Sequence, residues 1–403
     1  MSVPKLRFKE FDGAWSIKPL KNICKINQGL QIAIENRFTD DGVNRYFYIT
    51  NEFLREGAKK TYFIENPPRN VICDENDILM TRTGNTGQVV TDVKGAFHNN
   101  FFKIDFDRSI INKNFFIEFL KKDTTQHLIL KYAGASTIPD LNHSDFYRIV
   151  MPITTIKEQT KIASFLSNVD EKISQLTEKH ALLSQYKQGM MQKLFSQQLR
   201  FKADDGSEFG EWEDSKLGEL TTLITKGTTP SSLGEKYEES GINFIKIESL
   251  SSNGKFLLDK FAYIDENTHN KLARSKLEHD DILFSIAGAL GRVAIISRDY
   301  LPANTNQALA IIRLKDKKIT RYIYYFLNSD YVKKIIDAES VQLAQANFSL
   351  GQLANLDVLV PCLEEQTKIA NFLSAIDQKI EVVAQQIEQA KQWKKGLLQQ
   401  MFV

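Results

Sequence analysis

Apolar residues along two stretches fall alternately four and three positions apart: Ile162, Leu166, Val169, Ile173, Leu176, Leu183, Met190 and Leu194, then Ile369, Leu373, Ile376, Ile380, Val383, Ile387, Ala390, Leu397 and Met401. This is a heptad seam, which predicts two long amphipathic helices whose apolar stripes seek a partner. At about 38 residues each, the helices reach roughly 57 Å, a length suited to a spacer. Pro152 and Pro361 precede them, where a fixed φ helps to end the preceding strand.

The stretches are copies. EQTKIASFLSNVDEKI from Glu158 returns as EQTKIANFLSAIDQKI from Glu365, and YKQGMMQKLF from Tyr186 as WKKGLLQQMF from Trp393, both 207 residues later (158 to 365, 186 to 393). LRFK at Leu6–Lys9 recurs at Leu199–Lys202, each time followed by Asp-Gly and then by a tryptophan, Trp15 or Trp212. A repeat of this length sets the architecture. It predicts domains at 1–151 and 198–360, with helices at 152–197 and 361–403. Running antiparallel, the helices would form a coiled coil that separates two globular parts with pseudo-twofold symmetry.

The globular parts share one order of elements. After an early glycine (Gly29, Gly227) come an extended segment (YFYITNEFL, INFIKIESL) and a strand–turn–strand (DILMTRTGNTGQVV from Asp77, DILFSIAGALGRVAII from Asp281). A further strand follows (NFFKIDF, QALAIIRLK), then a helix near 112–132 or 320–338, then a short strand. Each part reads as a mixed α/β domain, so the class is α+β. Gly84, Gly87, Gly288 and Gly291 suit tight turns that need φ > 0. On the seam, His180 stands where the other copy has Ile387 and is assigned a packing or register role; Lys187 and Lys394 share a position open to a register or a partner-contact role.

Composition sets bounds. The 403 residues, 42% hydrophobic and 25% charged, suit two or three soluble domains. No apolar segment of membrane-spanning length and no secretory signal is seen, so a cytoplasmic location is expected. Cys24, Cys73 and Cys362 are odd in number and far apart, which argues against disulfides and predicts buried free thiols. The net charge of +2 says little about nucleic acid; residues 1–151 hold 21 Lys and Arg against 18 acids, and 198–360 hold 20 against 23.

Catalytic motifs are missing. Asn66-Pro67-Pro68 is followed by Arg69 rather than the aromatic residue an amino-directed DNA methyltransferase stacks on its flipped base. Pro139-Asp140 lacks the downstream Glu-x-Lys of a nuclease, no glycine run makes a nucleotide cradle, and the histidines and cysteines lack metal-ligand spacing. A fused single-chain enzyme therefore has nothing to support it, and a coiled-coil scaffold with protein-binding heads is the remaining alternative.

Two differing globular halves, each followed by a helix that opens with EQTKIA and closes with K-x-G-[LM]-[LM]-Q, closely resemble the specificity subunit of type I restriction–modification systems over essentially the whole chain. The resemblance implies two target recognition domains, each reading one half of a bipartite double-stranded DNA target, and a helical spacer that sets the gap. It implies no catalysis by this chain. Its partners would be two modification subunits, which bind S-adenosylmethionine and methylate adenine, and motor-nuclease subunits; S-adenosylmethionine, ATP and Mg would sit on those partners and no cofactor on this chain.

The DNA-contacting candidates are polar residues in predicted loops: Arg82, Thr83, Asn85, Thr86, Asn99 and Asn100 in the first half, and Lys226, Thr228, Thr229, Ser231, Ser285, Asn304, Asn306, Gln345 and Asn347 in the second. The GTTPSS loop after Lys226 fits the family pattern, whereas the first half has GLQIAI from Gly29.

Overall fold

The computed structural model describes residues 3–402 except 56, 58, 59, 135, 136 and 342–346; the side chains of 339–341 are also left undescribed. Two compact units result, residues 1–178 with 383–403 and residues 179–382.

The first lobe runs β1 (Ser16–Pro19), β2 (Cys24–Gln28), β3 (Arg45–Ile49), β4 (Phe63–Glu65), β5 (Ile72–Cys73), β6 (Ile78–Thr81), β7 (Val89–Val90), β8 (Gly95–Phe97) and β9 (Phe101–Phe106). Helices α1 (Lys113–Lys121), α2 (Asp123–Ala133) and α3 (His143–Arg148) follow, then β10 (Val150–Ile153) and the long helix α4 (Ile156–Phe195).

The second lobe repeats the plan with β11 (Glu213–Lys216), β12 (Thr221–Lys226), β13 (Ile242–Ile245), β14 (Ala262–Ile264), α5 (Glu266–Lys271), β15 (Ile282–Ser285), β16 (Val293–Ile295), β17 (Ala303–Thr305) and β18 (Leu309–Leu314). It closes with α6 (Thr320–Leu327), α7 (Asp330–Val341), α8 (Leu350–Ala354), β19 (Asp357–Val360) and the second long helix α9 (Leu363–Met401).

Topology matches sheet by sheet. The order β2-β9-β6-β7 in one lobe is β12-β18-β15-β16 in the other, and β4-β3-β8 is β14-β13-β17, with β3–β8 and β13–β17 parallel. The pairs β1–β10 and β11–β19 close each lobe beside its long helix. Pro152 lies inside β10 rather than beyond it, opposite Ile17 in a two-stranded ladder where a missing amide is tolerated.

Each helix expected after the sheet is two. Lys122 takes an extended conformation, and new helices begin at Asp123 and Asp330, matched positions whose carboxylates favour a helix N-terminus.

The long helices extend over 40 and 39 residues. In the first unit Ile162, Leu166 and Val169 of α4 join Leu397, Met401 and Phe402 in a core shared with Phe115, Phe116 and Phe146. In the second unit Met191, Leu194 and Phe195 join Ile369, Leu373 and Ile376 against Tyr322, Ile323 and Phe326. Since α4 runs from the first unit to the second and α9 from the second to the first, the helices run in opposite senses wherever they meet. Met191, not Met190, is buried at the end of α4, because the lobe rather than the heptad partner decides the packed face there.

Register comes from matched ion pairs. Lys187 Nζ lies 2.7 Å from Asp377, and Lys394 Nζ lies 2.7 Å from Asp170, the residue 207 positions earlier. Lys394 also pairs with the buried Glu118 at 2.9 Å; the matching residue Tyr325 donates its hydroxyl hydrogen to Asp377 at 2.7 Å and lies under Lys187. Of the two roles open to these lysines, the helix register is the one they visibly fill. His180 is half-buried and lines a cleft with Ser184, Lys187, Lys255 and Asp377. Cys24 and Cys73 are buried, and burial pushes both thiols up to about 12. Cys362 departs from expectation: it is exposed between β19 and α9.

The EQT motif tethers each helix. Glu158 and Glu365 are 1% and 0% exposed and accept paired hydrogen bonds from Arg7 and Arg200 of the two LRFK segments, at 2.7 and 2.8 Å and at 3.1 and 2.7 Å. Each arginine also donates to a backbone carbonyl, Gly13 or Gly210, and Trp212 Nε1 donates to Glu365 at 2.9 Å. Burial alone would raise the Glu158 carboxyl, but hydrogen bonds from Arg7 and Thr154 outweigh it and hold it below the usual range.

Arg7→Ala leaves that carboxylate buried and unpaired and is expected to cost about 3 kcal/mol in thermal or urea unfolding at pH 7. A carboxyl whose folded pKa is lowered contributes stability above its unfolded pKa, about 4.3, and loses it as pH falls through the folded value. The difference between wild type and Arg7→Ala should therefore shrink in unfolding curves taken from pH 5 down to pH 3.

Candidate nucleic-acid interface

The strand–turn–strand units place the first candidates. Gly84 and Gly87 have φ of +88° and +90°, and Gly288 and Gly291 of +75° and +76°, as tight turns require. Thr81, fully buried, accepts from Gln88 N at 2.9 Å and donates to Asn85 O. Ser285 is its counterpart, accepting from Arg292 N at 2.7 Å and donating to Ala289 O at 2.5 Å. Ser285 is therefore corrected from a reading residue to an internal staple.

Gly29 and Gly227 root the loops that follow β2 and β12. A Cβ on Gly29 would stand 2.2 Å from His98 O, and one on Gly227 2.0 Å from Thr305 O, so the backbones cross where no side chain fits. The next amides donate alike, Leu30 N to Phe97 O at 3.0 Å and Thr228 N to Thr305 O at 3.2 Å. GLQIAI thus leaves its strand as GTTPSS does, despite the different sequence, and each loop runs into a 3-10 turn, Ile34–Asn36 or Pro230–Leu233.

Within the first lobe an open cleft of about 480 Å³ is lined by Gln28, Gln31, Arg82, Asn99, Asn142 and His143. Arg82 is not free there: it grips Asp140 with Nε at 2.9 Å and Nη2 at 2.6 Å, and Nη1 donates to Gln28 Oε1 at 3.1 Å. Thr83 donates to the same carboxylate at 2.6 Å, and the Arg82 guanidinium above all holds the Asp140 carboxyl below its ordinary range. Burial lowers the His143 pKa, and Arg82 lowers it further. The neutral ring therefore carries its proton on Nε2 and donates to Gln28 Oε1 at 2.7 Å.

Of the other candidates, Thr86 is buried and donates to Pro139 O at 2.7 Å, which makes it a turn fastener. Asn85 is exposed in the turn, Asn99 donates to Gln31 Oε1 at 3.0 Å, and Asn100 is half-buried, its carbonyl accepting from Arg82 N at 2.7 Å.

The second lobe sorts its candidates differently. Lys226 and Ser231 are exposed, Thr228 accepts from Arg274 at 2.8 Å, and Thr229 bonds Ser232 at 2.9 Å. Asn304 is corrected: it is fully buried on β17, donating to Leu272 O at 3.1 Å and meeting His269. Asn306 is 9% exposed and caps its own turn, accepting from Ala308 N at 3.2 Å. Asn347 is exposed and bridges Ala287 as Asp140 bridges Thr83. Gln345 lies outside the described residues.

Sequence reasoning missed Gln28, Gln31, His143 and Arg274. Setting Gly29 against Gly227 would have found two of them, since that alignment places Gln28 opposite Lys226 and Gln31 opposite Thr229. Among the described residues, no group of three or more His, Cys, Asp or Glu could hold a metal, and no helix is long and apolar enough to cross a membrane.

Two topologically identical α/β lobes with different polar clefts, carried by a pair of long repeated helices, define a duplicated recognition protein. The family model for the type I restriction modification DNA specificity domain matches residues 13–184 and again 210–392, and the chain belongs to that family. It is accordingly a DNA-recognition component of a type I restriction–modification system, in a family that is non-catalytic.

The chain is 26% identical over 408 residues to the type I restriction enzyme MjaVIII specificity subunit of Methanocaldococcus jannaschii, covering 97% of this chain and 94% of that protein. It is 21% identical over 364 residues to the EcoBI specificity subunit of Escherichia coli, covering 83% and 74%. In fold it is similar to the type I S subunit from M. genitalium, with TM-score 0.59, 18% identity and coverage of 100% and 99%. A chain solved in a study of complex assembly and conformational transition of the type I R-M system gives TM-score 0.60, 15% identity and coverage of 96% and 97%.

Replacing Gly227 by Ala drives a methyl group into a backbone carbonyl and is expected to destabilise the chain by about 1–3 kcal/mol. A fall in the melting temperature checks this; an unchanged value would mean that the crossing opens without cost.

Proposed function

We propose that each lobe reads one half of a bipartite DNA target, and that α4 and α9 hold the two readings at a fixed gap while docking two modification subunits. The observation that carries this reading is one backbone plan with different chemistry at matched positions. Gln28, Gln31, Arg82 and His143 of the first lobe correspond to Lys226, Thr229, Ile286 and Leu350 of the second. Identical frames with different polar surfaces suit unlike half-sites, since base edges are distinguished by their donor and acceptor patterns. The turn and loop candidates that remain exposed, Asn85, Lys226, Ser231 and Asn347, belong to this reading as DNA contacts.

The helices support the spacer role because a fixed rise per residue turns helix length into target geometry. They support docking of two like subunits because exposed features repeat on them: Tyr186 and Trp393 are 51% and 54% exposed, and Gly189 and Gly396 have no heavy atom within 4 Å of an added Cβ. A mid-helix glycine costs about 1 kcal/mol against alanine, and the described fold gives it no packing reason. S-adenosylmethionine, ATP and Mg belong, in this reading, to the modification and motor-nuclease subunits, in a cytoplasmic assembly.

The test is to express the chain with its modification subunit in a methylation-free host and map modified adenines by single-molecule sequencing. A split motif with a constant gap is expected. Deleting one heptad from each helix removes about 10.5 Å of rise and should shorten the gap by about three base pairs. Altered half-site sequences in that variant would defeat the division of labour. Gly189→Ala should stabilise the chain by up to about 1 kcal/mol in thermal unfolding yet weaken capture of the modification subunit in a pull-down; undiminished capture would remove Gly189 from the docking face.

A further inference from the structure

The cleft of the first lobe is built around side-chain amides whose orientation is fixed. Gln28 Oε1 is taken up by Arg82 and His143, and its Nε2 donates to Asn99 O, so this amide is internal framework. Asn99 Nδ2 in turn donates to Gln31 Oε1 at 3.0 Å, while Asn99 Oδ1 is left without a hydrogen-bond partner. Gln31 itself is exposed, on the loop rooted by Gly29.

We propose that Gln31 reads an adenine in the major groove of the half-site bound by the first lobe, with Asn99 as its positioning residue and the Arg82–Asp140 pair as a buttress that does not touch bases. This rests on the reading of the lobes as DNA readers. The Asn99 bond fixes which end of the Gln31 amide is oxygen and occupies one of its two lone pairs. One acceptor site and two N–H donors remain, side by side. Adenine presents the complement, a donor at N6 beside an acceptor at N7; guanine offers two acceptors and cytosine a donor alone, so neither uses both ends of the amide. Arg82, the side chain best suited to guanine, has both arms of its fork committed to Asp140.

Methylation-motif mapping on the complete complex tests this with Gln31→Ala and Gln31→Glu. Because Gln31 is exposed, neither variant should alter thermal stability or complex assembly. With Gln31→Ala, one A·T position in one half-site is expected to become degenerate, its discrimination falling roughly tenfold or more, while the other half and the gap stay as they were. Gln31→Glu presents acceptors only and should turn that position toward cytosine, whose N4 donates. Lys226→Ala should leave this half-site untouched. A split wild-type motif that neither Gln31 variant changes overturns the inference alone, as does a change confined to a G·C position; a wild type with no split motif overturns the reading of the lobes along with it.

Discussion

A buried carboxylate at the start of each long helix is the constraint from which the rest of the architecture follows. Glu158 and Glu365 are shut away from water, and a lone charge so placed would be intolerable. Each is answered by an arginine from a segment that precedes the lobe, far away in the chain, and that arginine also holds a backbone carbonyl. One charge therefore fixes three things together: the entry to the lobe, the exit from it through β10 or β19, and the first turn of the helix. Since the helix is long and uninterrupted, its direction is set at this point.

Further along, the seam is apolar and would tolerate slippage by itself. The Lys187–Asp377 and Lys394–Asp170 pairs resist it, because sliding by a turn would leave four charges without partners. Their partly exposed setting makes each worth only about 0.5–1 kcal/mol, so they choose among registers more than they hold the helices together. Duplication supplies both pairs from one arrangement of residues, which is why the same positions recur.

The repeat and the seam were legible in the sequence because both are periodic, and period survives without knowledge of contacts. The turn glycines were legible because few residues accept φ > 0. Reading residues were not, because polarity has no such signature. Ser285 and Asn304 look like free donors and acceptors in the sequence, yet their partners are the backbone of Ala289, Arg292 and Leu272, which only folding brings near. Arg82 looks like a guanine reader until Asp140, 58 residues away, closes on it. Gln31 was passed over for the opposite reason: its loop, GLQIAI, reads as apolar, and only the crossing at Gly29 shows that the loop starts as its counterpart does.

That crossing also bears on how such a protein can change over generations. The loops are anchored by backbone touching backbone at Gly29 and Gly227, a contact indifferent to the side chains beyond it. Residues 30 to 36 or 228 to 234 can then be exchanged without disturbing the foundation they stand on. Stability and preference are written in different parts of the same few residues, so the lobe can acquire a new vocabulary while keeping its grammar.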